Sequence, residues 1–367
     1  MVRAANYIVL FIISGSLSCK GALAVNSDNR GLIHYNLNIH TGSALPHHLS
    51  MTYLNREYIK SVEFNAWFDN TTISNSHKTI LGAGYFFSNL GNRAVYGNFH
   101  APYFGMINPL FTNKWPVKLK IGVGIACATK KYDIETNYFN RAIGSHLNAY
   151  GQVTLTGDIP LKNDKWVIRP GISFHHLSNG KIVSPNQGIN LLTISAGIDF
   201  RSGHEHSGSF VLKKDATAKG KNRFSVIFAP GVKQVDRRVD KQILTSSLLF
   251  EYGYMYRPER SIGLGIGFFY NDTWAYIPYI RTEKDDSLPP FQSALHISVQ
   301  RNKGPLAFFL HPGIYIYMPA KDKPYMTNRI GMKYSFENNI TLQFSIKSHW
   351  FAIADYFEWG IGYEFNR

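Results

Sequence analysis

The sequence predicts an all-β protein, an antiparallel transmembrane β-barrel of the outer-membrane kind. Three observations carry the prediction. Most of the chain alternates apolar and polar side chains in segments of about ten residues, the period of strands and not of helices. The apolar faces are bulky, with Tyr, Trp and Phe crowded at segment ends, while the opposite faces hold Gly, Ser, Thr, Lys and Gln, as suits a lipid-facing wall around a polar lumen. Beyond the N-terminus there is no apolar run long enough for a membrane-crossing helix, and only a closed barrel satisfies every backbone group in lipid.

Taken in order, the chain opens with Met1–Ala24, which reads as a secretory signal peptide. Arg3 supplies the positive start, Tyr7–Leu17 is mostly apolar, and Ala22-Leu23-Ala24 forms the cleavage site. Cys19 is a rival lipoprotein acceptor, but Ser16-Leu17-Ser18 before it matches that pattern loosely. Cleavage leaves Cys127 as the sole cysteine, which excludes an intrachain disulfide and a cysteine metal site. The formal charge of +15 falls to +13 without Arg3 and Lys20. For an exported chain this points to an anionic membrane surface and away from nucleic acid.

Residues 25–367 are expected to form a single transmembrane barrel domain. Candidate strands are 31–41, 59–68, 78–88, 117–127, 147–160, 166–178, 190–201, 222–234, 243–256, 260–271, 291–301, 305–317, 327–336, 339–348 and 356–365. Ile340, Leu342, Phe344 and Ile346 against Thr341, Gln343, Ser345 and Lys347 show the alternation cleanly. Bacterial barrels take an even number of strands, so the expectation is about fourteen, within a range of roughly twelve to sixteen.

Loop lengths set a direction. If the last strand runs inward, Glu337-Asn338, Asn302-Lys303-Gly304, the region near Arg257–Arg260 and Leu161–Lys165 are short periplasmic turns. The outside loops are then 349–355, 318–326, 272–290, 235–242, 179–189 and 128–146, most of them longer. The long basic connection 202–221 falls on the periplasmic side and breaks the rule.

With this direction, strand 166–178 runs outward. Trp166, Ile168, Pro170, Ile172 and Phe174 share one face, and His176 and Ser178 continue it at the outer rim. On the returning strand Leu192, Ile194, Ala196, Ile198 and Phe200 face lipid, and Asn190 continues that face at the rim. His176, Ser178 and Asn190 therefore share a patch toward the outer leaflet. A histidine can take the proton of a serine hydroxyl, a third group can fix the imidazole tautomer, and amide donors can hold an oxyanion. Asn179, Asn186 and nearby backbone amides are the candidate donors. A His-Leu-Ser-Asn tetrapeptide is also an ordinary polar strand end. Its lipid-facing position favours a function, because polar groups against lipid are costly.

His176-Leu177-Ser178-Asn179 followed by Pro185-Asn186-Gln187-Gly188-Ile189 resembles the motif of PagL-type lipid A 3-O-deacylases, above all the longer, Bacteroidetes-type acyloxyacyl hydrolases. Lys347-Ser348-His349-Trp350 and Asp355–Tyr363 extend the resemblance toward the C-terminus. It implies an outer-membrane serine ester hydrolase that removes an acyl chain from lipopolysaccharide, with a Ser-His-Glu triad on the outer wall. His176 would be the base, Ser178 the nucleophile and Asn186 an oxyanion donor. The triad glutamate falls on Asn190, which can orient a histidine but cannot stabilise imidazolium by charge. Asp355 and Glu358 lie near the rim on a distant strand and are poor substitutes.

Other signals are weak. His204-Glu205-His206 has a spacing more typical of a solvated loop than of a metal site. His47-His48 and His349 read as rim or lumen residues. Gly122-x-Gly124 and Gly263-x-Gly265-x-Gly267 lie inside strands and open no helix, so they are small lumen-side residues and not nucleotide loops. The expectation is a hydrolase of the bacterial outer membrane, embedded among lipid A molecules, monomeric or homodimeric, with no cofactor and no metal. The rival is a porin or transporter that carries the motif as a relic.

Overall fold

A computed structural model describes residues 25–46, 48–70, 80–110, 117–161, 165–210, 222–236, 239–257, 260–275, 289–303, 305–319, 325–351 and 353–366. The expected signal peptide 1–24, with Cys19, lies outside the described residues, as does His47.

Alternation produces strands almost throughout. The N-terminal part holds β1 (Val25–Leu45), the short helix α1 (Leu49–Leu54), β2 (Ile59–Asn70), β3 (Ile80–Asn89), β4 (Asn98–Pro109), β5 (Val117–Ala128), β6 (Leu147–Gly157), β7 (Ile159–Pro160), β8 (Trp166–Ser178) and β9 (Ile189–Phe210). The C-terminal part holds β10 (Asn222–Asp236), β11 (Val239–Arg257), β12 (Arg260–Tyr270), β13 (Phe291–Lys303), β14 (Leu306–Tyr317), β15 (Met326–Ser335), β16 (Ile340–His349) and β17 (Ile353–Asn366).

All pairings are antiparallel, and they close two rings. In the first, the order β6-β5-β4-β3-β2-β1-β9-β8 is completed by β6 against β8, with β7 prolonging the β6 side of that ladder. In the second, β10 to β17 follow chain order and β17 closes on β10. The all-β antiparallel barrel is as expected; the single ring of about fourteen strands over 25–367 is not. Two eight-stranded barrels stand in its place. Alternation reports that a segment is a strand and which face it buries, but not its partner. The closing ladders β1·β9 and β10·β17 join segments far apart in sequence, so nothing local announces them.

This division accounts for the anomalous connection 202–221. β9 continues to Phe210 and pairs along β1, and β10 opens a new ring. The segment is a link between barrels and not a hairpin turn; 211–221 lies outside the described residues. Among the described residues, the one long strand without a sequence counterpart is β4. Pro102 lacks an N–H, and the β4·β5 ladder skips from His100↔Cys127 to Tyr103↔Gly124 across it.

An eight-stranded barrel is just wide enough for side chains to fill, and both lumens are filled. In the first, Glu63 accepts bonds from Lys120 Nζ (2.7 and 2.8 Å), Asn38 Nδ2 (2.8 Å) and Tyr103 Oη (2.6 Å). Arg169 bridges Asp158 and Asp199. Toward the end where β8 finishes, which we call the upper end, the filling turns apolar: Met51 of α1, Phe86, Leu90, Tyr96, Phe99 and Ile143 are buried together. The second lumen is ionic along most of its length. Glu358 meets Arg329, Asp355 meets Lys233 and Lys347, and Glu251 meets Lys333. Asp355 and Glu358 thus belong to the lumen of the other barrel, as poor substitutes for a triad acid should. His349 lies 3.3 Å from Asp355 in that lumen. Outward-facing residues are apolar and exposed on both barrels, among them Ile172, Phe174, Ile194, Leu264, Ile297 and Ile361.

Candidate functional site

β8 shows how the sequence builds the patch. Val167, Arg169, Ser173 and His175 turn into the lumen, while Ile168, Ile172, Phe174 and His176 face out. The β8·β9 register places Ile172 opposite Ile194, Phe174 opposite Leu192 and His176 opposite Asn190. Asn190 and His176 are therefore cross-strand neighbours on the outer wall, and Asn190 Oδ1 lies 2.6 Å from His176 Nδ1. A carbonyl oxygen only accepts, so this contact fixes the proton on Nδ1 and leaves Nε2 as the basic nitrogen.

Beyond His176 the alternation stops. Leu177, Ser178, Asn179 and Gly180 are all buried, because the loop 179–188 folds back over the strand end. Ser178 is 5% exposed and not open on the wall as its position along β8 suggests. Its Oγ accepts from Asn186 Nδ2 (2.9 Å) and from the Gly180 N–H (3.1 Å). Asn186 Oδ1 in turn accepts from the Asn179 N–H at 3.0 Å. The Asn179 side chain corrects its expected role. Its amide donates to Ser145 Oγ and to the Val183 carbonyl, both at 2.9 Å, so it braces the loop and does not aim at Ser178. The Gly180 N–H takes the place expected for it. Side-chain direction at a strand end, where period two has ended, is not readable from sequence.

Two glycines make the fold-back feasible. Gly188 has φ +74° and sits against His176, where a Cβ would lie 3.1 Å from Cε1. Gly180 has φ +61°, and a Cβ there would come within 2.4 Å of the Phe357 ring of β17. Both lie in the left-handed region that other residues adopt only with strain.

The loop is held from two sides. Within its own barrel, Gln187 N–H donates to the Arg141 carbonyl (3.2 Å) and Gly188 N–H to the Ala142 carbonyl (3.0 Å). From the second barrel, Gln234 N–H donates to the Lys181 carbonyl (3.0 Å), Gln234 Oε1 accepts from Ser184 N–H (2.7 Å) and Gln242 Nε2 donates to the Ile182 carbonyl (3.1 Å). Gln234 and Gln242 carry no signal in the sequence that ties them to the site. On β6, Ala149 pairs with Ser178 and Gly151 with His176. Chain neighbours aside, no heavy atom of the described residues lies within 4 Å of where a Gly151 Cβ would be, so the wall beside His176 is open there, and exposed Val153 and Leu155 continue it along β6.

Two family models match the chain. Residues 57–199 match the lipid A 3-O-deacylase (PagL) model, and residues 222–367 match the acyloxyacyl hydrolase C-terminal domain. The chain belongs to the PagL-like family. The first match spans β2 through the first half of β9, including the whole of the patch, and the second coincides with the second barrel. No curated protein matches this chain. Among solved structures, a mutant of Rh. blastica porin is similar at 12% identity over 91% of this chain and 100% of its own, with a TM-score of 0.20. A triple mutant of the Rhodopseudomonas blastica porin is similar at 13% identity over 91% and 99%, with a TM-score of 0.17. At such scores the likeness carries no argument. Family membership and the barrel fold point to the bacterial outer membrane. Against the triad glutamate that the resemblance implies, this member has Asn190 in hydrogen-bond contact with the histidine.

Proposed function

We propose that the protein is an outer-membrane hydrolase that removes an ester-linked acyl chain from lipid A, with Ser178 as nucleophile and His176 as general base. The observation that supports this reading best is an oriented histidine on the exposed apolar wall, with a buried serine two residues on and two N–H donors at its Oγ. His176 Nε2 takes the Ser178 proton as Oγ attacks the ester carbonyl. The oxyanion forms beside the Asn186 amide and the Gly180 N–H, which are already fixed by the loop and need no reorganisation. His176 then returns the proton to the leaving sugar oxygen, and water resolves the acyl-enzyme on Ser178. The acyl chain lies over Ala149 and Gly151, against the apolar wall of Val153 and Leu155. Asn190 orients His176 without lending charge, so the residue pair and the donors carry the chemistry.

The porin reading is disfavoured because buried side-chain clusters cross both lumens. The test is a lipid A mass spectrum from cells expressing the wild type or Ser178→Ala. The wild type should yield a species lighter by one acyl chain. Ser178→Ala should restore the full-length species while keeping the heat-modifiable gel migration of a folded barrel. Continued deacylation by Ser178→Ala would refute the mechanism, and no deacylation by the wild type would refute the activity.

A further inference from the structure

The second lumen holds a cluster that its ion pairs do not satisfy. Asp355 is neutralised by two lysines, and Glu358 takes the Arg329 Nε on both oxygens as well as the hydroxyls of Ser247 and Ser345. Glu251 differs. Its Oε2 meets Lys333, but Oε1 faces His311 Nδ1 at 3.3 Å and His296 Nε2 at 3.7 Å without a hydrogen bond to either. The three residues are 5%, 1% and 4% exposed. Glu251 Oε1, His311 Nδ1 and both ring nitrogens of His296 are buried with no hydrogen-bond partner among the described residues. Several unpaired polar atoms in one buried spot are costly if nothing fills the space between them.

The strands are arranged to leave that space. Glu251 on β11, Gly265 on β12, His296 on β13 and Gly313 on β14 are register partners in one row across the sheet, and His311 lies two residues from Gly313 on the same face. A Cβ at Gly265 would lie 2.4 Å from His296 Nε2, so only glycine leaves the imidazole room. The imidazoles of His296 and His311 stack with ring centroids 4.8 Å apart. His311 Nε2 lies 3.0 Å from Ser298 Oγ. With Nε2–H donating to that hydroxyl, Nδ1 presents a bare lone pair toward the Glu251 carboxylate. Two lone pairs face each other there, and a cation resolves the conflict. One donor atom from each of the three residues can be chosen so that all lie within 4.8 Å of one another.

We propose that the second barrel binds a divalent first-row transition-metal ion of the Zn²⁺ class on Glu251 Oε1, His296 Nε2 and His311 Nδ1. Two imidazoles and one carboxylate suit such an ion, and Ser298 is the outer partner that sets the His311 tautomer. The ion would staple β11, β13 and β14 across the lumen. It takes no part in the proposed ester hydrolysis on the other barrel.

The test uses the full mature chain, purified in detergent, stripped with EDTA and titrated with Co²⁺ as the optical probe, followed by Zn²⁺ competition. The wild type should bind about one equivalent, with the d–d bands of a low-coordinate site, and zinc K-edge spectra should show N/O scatterers with imidazole outer shells. His296→Gln and His311→Gln should each weaken binding by more than about tenfold, and Ser298→Ala by roughly 10–100-fold. His349→Gln, in a separate cluster, should bind as the wild type does. If the wild type takes up no Co²⁺ or Zn²⁺, the cluster is a histidine–carboxylate ion pair and the proposal fails. It also fails if folded His296→Gln and His311→Gln bind as tightly as the wild type. The wild-type stoichiometry and spectrum decide the matter even if those variants do not fold.

Discussion

The two barrels have the same number of long strands and place their polar groups differently. The first carries the hydrogen-bonded pair His176 and Asn190 on its outer wall, with Ser178 buried under the adjoining loop, and closes its upper end with an apolar filling. The second presents an apolar wall and gathers its charges inside, in the clusters around Glu251, Glu358 and Asp355. The wall of a barrel is a surface on which any residue can be displayed, while a narrow lumen must be filled by side chains that satisfy each other. A lipid-modifying site therefore belongs outside, and a structural or ion-holding role belongs inside. The barrels meet where the second one grips the loop of the first, through Gln234, Gln242 and Phe357.

Three substitutions sharpen that comparison. The largest effect is expected in a lumen. Glu63→Leu removes the acid that Lys120 needs, leaving a buried unpaired ammonium at a cost of about 3–5 kcal/mol. Denaturant unfolding in detergent should show the loss in the first barrel. An equal shift after the control Glu57→Leu, on an exposed ion pair, would mean that the lumen pairs carry no special weight. On the wall the effect should be kinetic. Asn186→Ala removes a donor to Ser178 and the acceptor for Asn179 N–H, so acyl release should slow by roughly 10²–10³-fold with unfolding unchanged. A rate within about twofold of the wild type would move the oxyanion site elsewhere. The smallest effect is at the contact between barrels. Gln234→Ala loses one hydrogen bond to the loop, which predicts a rate lower by about three- to tenfold at unchanged stability of either barrel. If the rate does not move, the second barrel merely adjoins the loop.

Much of this was legible in the sequence, and the gaps have physical causes. Trp166, Ile168, Ile172, Phe174 and His176 do share the outer face, and the same reasoning put Asn190 beside His176. β4 was not legible because Pro102 and Pro109 break the strand signature, although Phe99, Ala101 and Tyr103 alternate inward around them. Ring closure was not legible because pairing partners lie far apart in the chain. The burial of Ser178, the turned-away side chain of Asn179 and the reach of Gln234 depend on a loop, where no period constrains direction. The Glu251 cluster leaves no mark in the sequence because its three residues are spread over β11, β13 and β14 and form no motif.

The seam between β1 and β9 runs to its upper limit at Leu45 opposite Asn190. It is the ladder that joins the first strand of that barrel to the last, so loop-closure entropy weighs most heavily on it. The residue that orients His176 thus sits on the strand whose docking completes the ring. The β8·β9 hairpin pairs His176 with Asn190 locally, but its far edge stays an open ladder until β1 docks along β9. Closing that seam leaves no unpaired edge beside the wall that carries His176, so the wall is complete only when the ring is.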